Sequence, residues 1–407
     1  MIHLLVDLAP AFMPFIGIMM TLQVTMVALA AGSLVCSHAG ENMSRSRHLI
    51  ITSSRLKPAF EDLAKYRASQ GMPSEVVTVE DISKSFRGRD LPEKIRICIG
   101  DWYSNRLVRF VAIGGDDTVV PPRYCSPKGE AMPTDLYYSD VDGGSWDKNH
   151  DGEFGRREDI TIESLTPEIC LGRIPVRQPN KVRDYIAKIR RYEACRDPRF
   201  IKSLLITSQG GLPQDDSVEE RPGESQPPPD FAVGNEKTRD IYFKHIEPVW
   251  KASKLDFFFV LPDYRGGLLE RWNRGYNFVI RMGHGNGFGW SGFCVADAFK
   301  LRNPIPSIVW SGGCGNGKYD ASKDPTFSEA LIRNPNGGAV AVFGHSRAVS
   351  GDVNNTAFWH SMFASENATA GEVYVDVLRS VAGKWVRNPG GAYNFSCLCD
   401  PALRIHR

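Results

Sequence analysis

Residues 275–286 read G-Y-N-F-V-I-R-M-G-H-G-N, residues 306–317 read P-S-I-V-W-S-G-G-C-G-N-G, and residues 337–346 read G-G-A-V-A-V-F-G-H-S. Each stretch is a short apolar run bounded by glycines, a pattern typical of a buried parallel strand. The first run ends at His284 and the second at Cys314. Catalytic and binding residues of open parallel sheets usually lie where the strands end. This pair therefore predicts a cysteine nucleophile with its acid–base partner.

Upstream of these stretches, strand and helix patterns alternate along the chain. H-L-I-I-T-S at residues 48–53 indicates a strand, and R-F-V-A-I-G-G-D-D at residues 109–117 indicates another. K-S-L-L-I-T-S-Q-G-G at residues 202–211 opens a second unit of the same kind. Strands that alternate with helices imply wound, mostly parallel sheets. We therefore predict an α/β fold with two subdomains side by side, residues 48–197 and residues 198–407, the second of which is catalytic.

The composition is that of a globular protein and argues against a nucleic-acid-binding protein, a disulfide-rich protein and a zinc ribbon. The chain has 407 residues, of which 42% are hydrophobic, and a formal net charge of +2. A chain of this length and hydrophobic content suffices for one large or two modest hydrophobic cores. Because the sequence has no block of basic residues, we expect no nucleic-acid partner. The 9 cysteines form no C-x-x-C pair, which disfavours a disulfide framework or a zinc ribbon. An odd count leaves at least one free thiol, and we expect Cys314 to be free.

Residues 1–36 contain a long apolar run that indicates a signal peptide or a single membrane anchor. Residues 37–47 would then be a linker. No Lys or Arg precedes the run and Asp7 lies before it, so the alternative is a cytoplasmic protein whose translation starts near Met43. We expect a secreted or cell-surface protein, which meets a membrane only through this segment if the segment is not cleaved.

An acidic segment, D-K-N-H-D-G-E-F-G-R-R-E at residues 147–158, departs from the strand and helix alternation. It fits the calcium-loop template D-x-N-x-D-G-x5-E, whose oxygens recur at alternate residues so that the chain wraps one hard cation. We expect a structural Ca²⁺ and no organic cofactor, with an acidic surface loop as the alternative. The predicted ligands are Asp147, Asn149, Asp151, Glu153 and Glu158.

Several separate motifs resemble those of the gingipain family of cysteine peptidases, which have a caspase-like fold. They run in the family's order and include Y-Y-S-D-V-D-G, L-G-R-I-P-V, G-H-G-N-G-F-G-W, S-G-G-C-G-N-G and D-P-A-L-R. The resemblance implies a caspase-like α/β/α sandwich that cleaves polypeptides with a Cys–His dyad, Cys314 and His284. It also implies that the N–H groups of Gly285 and Cys314 bind the oxyanion of the reaction intermediate.

The sequence departs from the gingipain pattern at three places. Gln209 stands where gingipains carry a Glu that orients the histidine, and its amide accepts a hydrogen bond but carries no charge. We expect no immunoglobulin-like module after D-P-A-L-R, where the sequence ends, and no long propeptide before residue 48. Gingipains that select Arg or Lys place an acidic residue in the first specificity pocket. We choose Asp230 for that place, with Asp215 and Asp216 as competitors; the alternative is that all three belong to a solvated loop.

Together these observations predict an exported, calcium-binding cysteine endopeptidase that works through a thioester acyl-enzyme and cleaves after Arg or Lys. His345 also follows a predicted strand and is the alternative base. Three other functions stay open: a sortase-like transpeptidase of the same family, a catalytically silent calcium-dependent binding module, and a cytosolic caspase-like regulator.

Overall fold

The computed structural model describes residues 47–127, 129–209, 236, 238–259, 264–321, 325–349 and 353–407. The predicted leader and linker lie outside the described residues, and so do Asp215, Asp216 and Asp230. Within the described ranges, no helix has the length and apolar character needed to cross a membrane.

The chain forms strands and helices in alternation. The strands are β1 (Arg47–Thr52), β2 (Ser74–Thr78), β3 (Val108–Gly114), β4 (Arg123–Cys125), β5 (Met132–Thr134), β6 (Cys170–Ile174), β7 (Ser203–Gln209), β8 (Lys254–Phe258), β9 (Phe278–Gly283), β10 (Gly285–Asn286), β11 (Gly289–Trp290), β12 (Phe293–Cys294), β13 (Ser307–Ser311), β14 (Ala339–His345) and β15 (Phe395–Leu398). The α-helices are α1 (Lys57–Ser69), α2 (Val79–Ser85), α3 (Leu91–Arg106), α4 (Leu136–Ser139), α5 (Pro179–Glu193), α6 (Pro198–Ile201), α7 (Tyr264–Asn273), α8 (Val295–Ala298), α9 (Phe327–Arg333), α10 (Val353–Trp359), α11 (Ala370–Trp385) and α12 (Gly390–Tyr393). Short 3-10 and π-helical turns lie at Glu163–Leu165, Ile241–Ile246 and His360–Ala364.

The first sheet is parallel and has the strand order β2-β1-β3-β6. Its central strand β1 is apolar and fully buried at Leu49, Ile50 and Ile51, as expected for a parallel strand covered on both faces. Phe60 of α1 packs against Gly114 of β3, where an added Cβ would lie 2.7 Å from the Phe60 ring. The glycine therefore lets this helix approach the sheet closely.

The second sheet has the order β15-β14-β13-β9-β7-β8, and all its strands are parallel except β15, which runs antiparallel to β14. The chain leaves β7 for β8 on one side and then returns to β9 on the other. The carboxyl ends of β7 and β9 therefore lie at a topological switch point, where open parallel sheets place their ligands. The α/β fold with mostly parallel strands is confirmed.

The two sheets adjoin where β6 of the first meets the chain that follows β15 of the second. An added Cβ at Gly172 in β6 would lie 2.5 Å from the carbonyl oxygen of Cys399. Tyr185 of α5 donates a hydrogen bond to the carbonyl of Val340 in β14, at 2.8 Å. Residues 47–407 form one unit, and the predicted boundary between residues 197 and 198 stays a prediction.

Candidate active site

His284 directly follows β9 and begins a short hairpin, residues 284–290, that we call the histidine hairpin. Gly285 pairs with Trp290 across it, and β12 adds a third antiparallel strand. The buried Trp290 donates its indole N–H to the hydroxyl of Ser311 in β13 at 2.6 Å, and its ring stacks on Trp272 with centroids 5.7 Å apart. The histidine hairpin is therefore attached to the strand that leads to Cys314.

Cys314 lies in the turn that follows β13, residues 312–317, which we call the nucleophile turn. Gly315 has a φ of +67°, in the left-handed region that favours glycine, and its N–H donates to the carbonyl of Arg347 at 3.1 Å. The half-buried thiol of Cys314 points to the carbonyl of Val349, with 3.8 Å between Sγ and O. The chain that leaves β14 thus supports the nucleophile turn.

The nucleophile turn and the histidine hairpin are in contact, because β9 and β13 are neighbours in the sheet. An added Cβ at Gly313 would lie 3.2 Å from the Gly285 nitrogen, and one at Gly315 would lie 3.1 Å from the Gly287 nitrogen. Glycines on both sides of Cys314 therefore meet the glycines that follow His284. This close approach accounts for the glycine pattern at both strand ends.

Gln209 is the last residue of β7 and pairs in register with Gly283, the residue before His284. Its backbone therefore lies beside the histidine at the switch point of the sheet. The acidic specificity residues predicted after it lie outside the described residues.

His345, the alternative base, is buried at the end of β14. The amide of Asn354 donates to its Nε2 at 2.9 Å, and that amide is oriented by Trp385, which donates to its carbonyl oxygen at 2.8 Å. Burial lowers the pKa of His345 to about 4, so the ring is neutral at pH 7. These contacts favour a packing role for His345 beside the rings of Trp310 and Phe395.

The sequence analysis did not identify three charged residues near the candidate site: Arg281 and the pair formed by Arg347 and Asp320. Arg281 in β9 is fully buried and donates to the carbonyls of Met282 and His284, and burial lowers the pKa of its guanidinium. Arg347 donates two hydrogen bonds to the carboxylate of Asp320, at 2.9 and 2.7 Å. A charge inside the apolar run F-V-I-R-M-G was the available signal for Arg281, whereas nothing in the sequence paired Arg347 with Asp320.

The predicted calcium loop has a turn of the expected kind at its start. The backbone N–H groups of Gly152 and Asp151 donate to the side-chain oxygens of Asp147 and Asn149, each at 3.2 Å, and Gly152 has a φ of +85°. One carboxylate oxygen of Asp147 is buried without a hydrogen-bond partner. The other accepts a hydrogen bond from Arg89 at 2.5 Å.

The end of the calcium loop fits the template less well. Glu158 is exposed, whereas the next residue, Asp159, is buried and accepts hydrogen bonds from the backbone N–H groups of Lys148 and Arg156 at 2.9 and 3.1 Å. Glu153 is exposed and pairs with Arg156. In the part of the chain that the structure describes, no three His, Cys, Asp or Glu side chains are grouped to hold a metal ion. The calcium ligands therefore stay a prediction.

The chain resembles known proteins in sequence and in fold. The model of peptidase family C25 matches residues 42–406, whereas no curated protein matches the chain significantly in sequence. The crystal structure of the Arg specific cysteine proteinase gingipain R (RgpB) matches with a TM-score of 0.69 and 16% identity, over 89% of this chain and 78% of that chain. The complex of Porphyromonas gingivalis RgpB pro- and mature domains matches with a TM-score of 0.68 and 16% identity, over 88% and 80%.

At 16% identity the two structural matches establish the fold, and the family match covers nearly the whole described chain. The α/β architecture, the parallel sheets and the match to gingipain R agree with the caspase-like fold. The chain therefore belongs to peptidase family C25, the gingipain family, and is a cysteine peptidase.

Proposed function

We propose that this peptidase is an endopeptidase that uses Cys314 as nucleophile and His284 as acid–base partner. The observation that carries the proposal is the contact between the nucleophile turn and the histidine hairpin at the carboxyl ends of neighbouring strands. His284 takes the thiol proton as Cys314 Sγ attacks the peptide carbonyl carbon. The intermediate collapses with cleavage of the C–N bond, His284 protonates the leaving amine, and a thioester remains.

The second half of the proposed reaction regenerates the enzyme. His284 takes a proton from water, which attacks the thioester carbon, and the thiol of Cys314 leaves with that proton as the carboxylic acid is released. In both halves the carbonyl oxygen becomes an oxyanion. We assign its stabilisation to the N–H groups of Gly285 and Cys314, and preorganised donors of this kind are often the largest single contribution to catalysis.

Gln209 is assigned to the orientation of His284. The position of its backbone beside Gly283 supports the assignment, since the end of β7 is one residue away from the histidine across the sheet. An amide carbonyl accepts a hydrogen bond from an imidazole N–H and so fixes the ring and its tautomer. Because the amide is neutral, it stabilises the imidazolium less than a carboxylate would.

Asp230 is assigned to substrate selection, as a carboxylate that pairs with the Arg or Lys side chain before the scissile bond. The support is its place downstream of S-Q-G-G in a family with a member described as Arg specific. Deletion of one partner of a desolvated charge pair costs about 2–5 kcal/mol. The variant Asp230→Ala should therefore lose cleavage after basic residues far more than cleavage after neutral residues.

We also propose that the protein is exported and binds structural Ca²⁺. Export rests on the apolar run within residues 1–36, and N-terminal sequencing of the mature chain tests it. A start at Met43 would instead favour the cytosolic regulator. The calcium proposal rests on the turn that joins Asp147, Asn149 and Asp151, and on the buried oxygen of Asp147 that has no hydrogen-bond partner.

The decisive experiment is covalent labelling with acyloxymethyl ketone probes that carry Arg, Lys or a neutral residue. We expect wild type and Cys195→Ala, which removes another partly exposed free thiol, to be labelled, and Cys314→Ala to remain unlabelled. Labelling of Cys314→Ala would contradict the nucleophile assignment. If no probe labels wild type, the protein would be a catalytically silent binding module. If peptide products are joined to an added amine, it would be a transpeptidase.

A further inference from the structure

One buried side chain joins the two segments of the active site. Asn316, two residues after Cys314, is 1% exposed. Its Nδ2 donates to the carbonyl of Asn286 at 2.6 Å and to the carbonyl of Gly289 at 2.9 Å. Both carbonyls belong to the histidine hairpin. A single amide therefore bonds the nucleophile turn to both strands of that hairpin.

The other end of the Asn316 amide lies between the glycines of the site. Its Oδ1 is buried and has no hydrogen-bond partner. An added Cβ would lie 2.4 Å from this oxygen at Gly285 and 2.2 Å from it at Gly313. These two positions therefore accommodate the amide only because they are glycines. An unsatisfied buried acceptor is unfavourable, so its presence beside the active site is unexpected for a side chain that only fills space.

The same two segments are also attached to the start of α9. The hydroxyl of Ser328 donates to the carbonyl of Asn316, and the N–H of Phe327 donates to the carbonyl of Gly287 at 2.9 Å. The backbone of Asn316 is therefore bonded to the start of α9, while its side-chain amide is bonded to the histidine hairpin. This arrangement leaves little freedom in the spacing between the turn and the hairpin.

We propose that Asn316 is a positioning residue that sets the spacing between the N–H groups of Gly285 and Cys314, and thereby the geometry of the oxyanion site. The inference rests on the proposed function, in which these two groups are the oxyanion donors. One donor lies on each of the segments that Asn316 joins. Because oxyanion donors act only at hydrogen-bond distance from the developing charge, a small shift between the segments removes much of their effect.

The test variant is Asn316→Asp, which keeps the size of the side chain but replaces the two N–H donors by an oxygen that repels both hairpin carbonyls. We expect kcat for a peptide substrate to fall about a hundredfold or more, the loss typical of one missing oxyanion donor, with KM changed less than about threefold. Alkylation of Cys314 by iodoacetamide, which needs the thiolate but no oxyanion donor, should keep its rate.

The matched control is Asn303→Asp. Asn303 is equally buried, and its amide bonds the carbonyls of Ile305 and Gly338, at the opposite ends of β13 and β14 from the active site. We expect this variant to lose stability but to keep kcat. Asn316→Ser, which is neutral and retains one donor, should have a kcat between those of Asn316→Asp and wild type.

Three results would overturn the positioning role while the proposed function stands: a kcat of Asn316→Asp near that of wild type, an equal loss of kcat in Asn303→Asp, or a parallel loss of the iodoacetamide rate in Asn316→Asp. Failure of both Asn316 variants to fold, with Asn303→Asp folded, would show a purely structural role and also contradict it. Wild type without turnover on any peptide would contradict the proposed function, and the positioning role with it.

Discussion

Burial separates two histidines that the sequence presents in similar surroundings. His284 and His345 each follow an apolar strand and a glycine, yet His284 is exposed at the hairpin and His345 is 2% exposed among aromatic rings. The side chain of Asn354 is a donor to His345, because its carbonyl oxygen is already taken by Trp385. The ring of His345 is thus held in its neutral form, and its protonation at low pH would destabilise the folded protein.

We predict that His345 makes the protein less stable as the pH falls from 7 to 5. The pKa of His345 is lowered from 6.5 to about 4 in the folded protein, so the unfolded chain binds the extra proton over this range. The contribution of neutral His345 to the free energy of unfolding is therefore present in full above pH 6.5 and is lost as the pH falls towards 4. The loss from this one group between pH 7 and pH 5 is about 2 kcal/mol.

Urea unfolding of wild type and His345→Gln at both pH values measures this loss, because the glutamine carbonyl can accept from Asn354 but does not titrate. The free energy of unfolding of His345→Gln should fall about 2 kcal/mol less than that of wild type. His360→Gln, at an exposed position, is the control and should behave as wild type. Equal pH dependence in all three proteins would show that His345 is not buried as the structure places it.

At the scale of the element, the histidine hairpin and the calcium loop are two short segments that buried side chains attach to the rest of the fold. The histidine hairpin is only seven residues long, but Trp290 attaches it to Ser311 and to the ring of Trp272. The calcium loop is attached differently, since Asp147 is buried and paired with Arg89 from the chain before α3. A calcium ion at this place would have to compete with, or move, the guanidinium of Arg89.

We predict that Ca²⁺ raises the melting temperature of the protein and that Asp151→Ala removes this increase. A ligand that binds only the folded state stabilises it by about 2.7 kcal/mol at a hundredfold excess over its Kd. Thermal unfolding in Ca²⁺ and in chelator measures the difference. Asp142→Ala removes an exposed carboxylate that lies just before this loop and should keep the calcium response. An equal response in both variants, or no response in wild type, would exclude this calcium loop.

At the scale of the whole molecule, a buried group of charges connects distant parts of the chain. Arg67 in α1 pairs with Glu193 at the end of α5 at 2.9 Å, and with Asp400 after β15 at 2.8 Å. Asp400 also lies 3.3 Å from Nε2 of His48 in β1. Burial would raise the pKa of Asp400, but Arg67 and His48 hold it below its usual range. The pairing therefore joins the two sheets where they adjoin.

We predict that Asp400→Asn lowers the free energy of unfolding by about 3–5 kcal/mol, because it leaves the buried cation of Arg67 partly uncompensated. Urea unfolding at pH 7 measures the change. Asp197→Asn is the control, since Asp197 pairs with Arg199 at an exposed helix start and asparagine is an equally good cap. It should change stability by less than about 1 kcal/mol. Equal losses in both variants would contradict a special role for the buried pairing.

Much of this architecture could be predicted from local patterns. The apolar runs that end in glycines predicted β9, β13 and β14 with His284, Cys314 and His345 at their ends, because burial on both faces leaves a run of apolar residues and close backbone approach requires glycine. The motif order predicted the family and the caspase-like fold. Asp230 lies outside the described residues, and its role in substrate selection stays a prediction from sequence.

The side-chain partners in the candidate active site and at the junction of the sheets were set by tertiary contacts. Asn316 bonds a carbonyl 30 positions earlier in the chain, Arg89 bonds Asp147 across 58 positions, and Arg67 bonds Asp400 across 333. A hydrogen bond between distant residues depends on the packing of every element between them, whereas a strand pattern depends only on its own residues. The residue types and strand ends of the candidate site could therefore be predicted from sequence, but the amide that joins its two segments became visible only when the chain was folded.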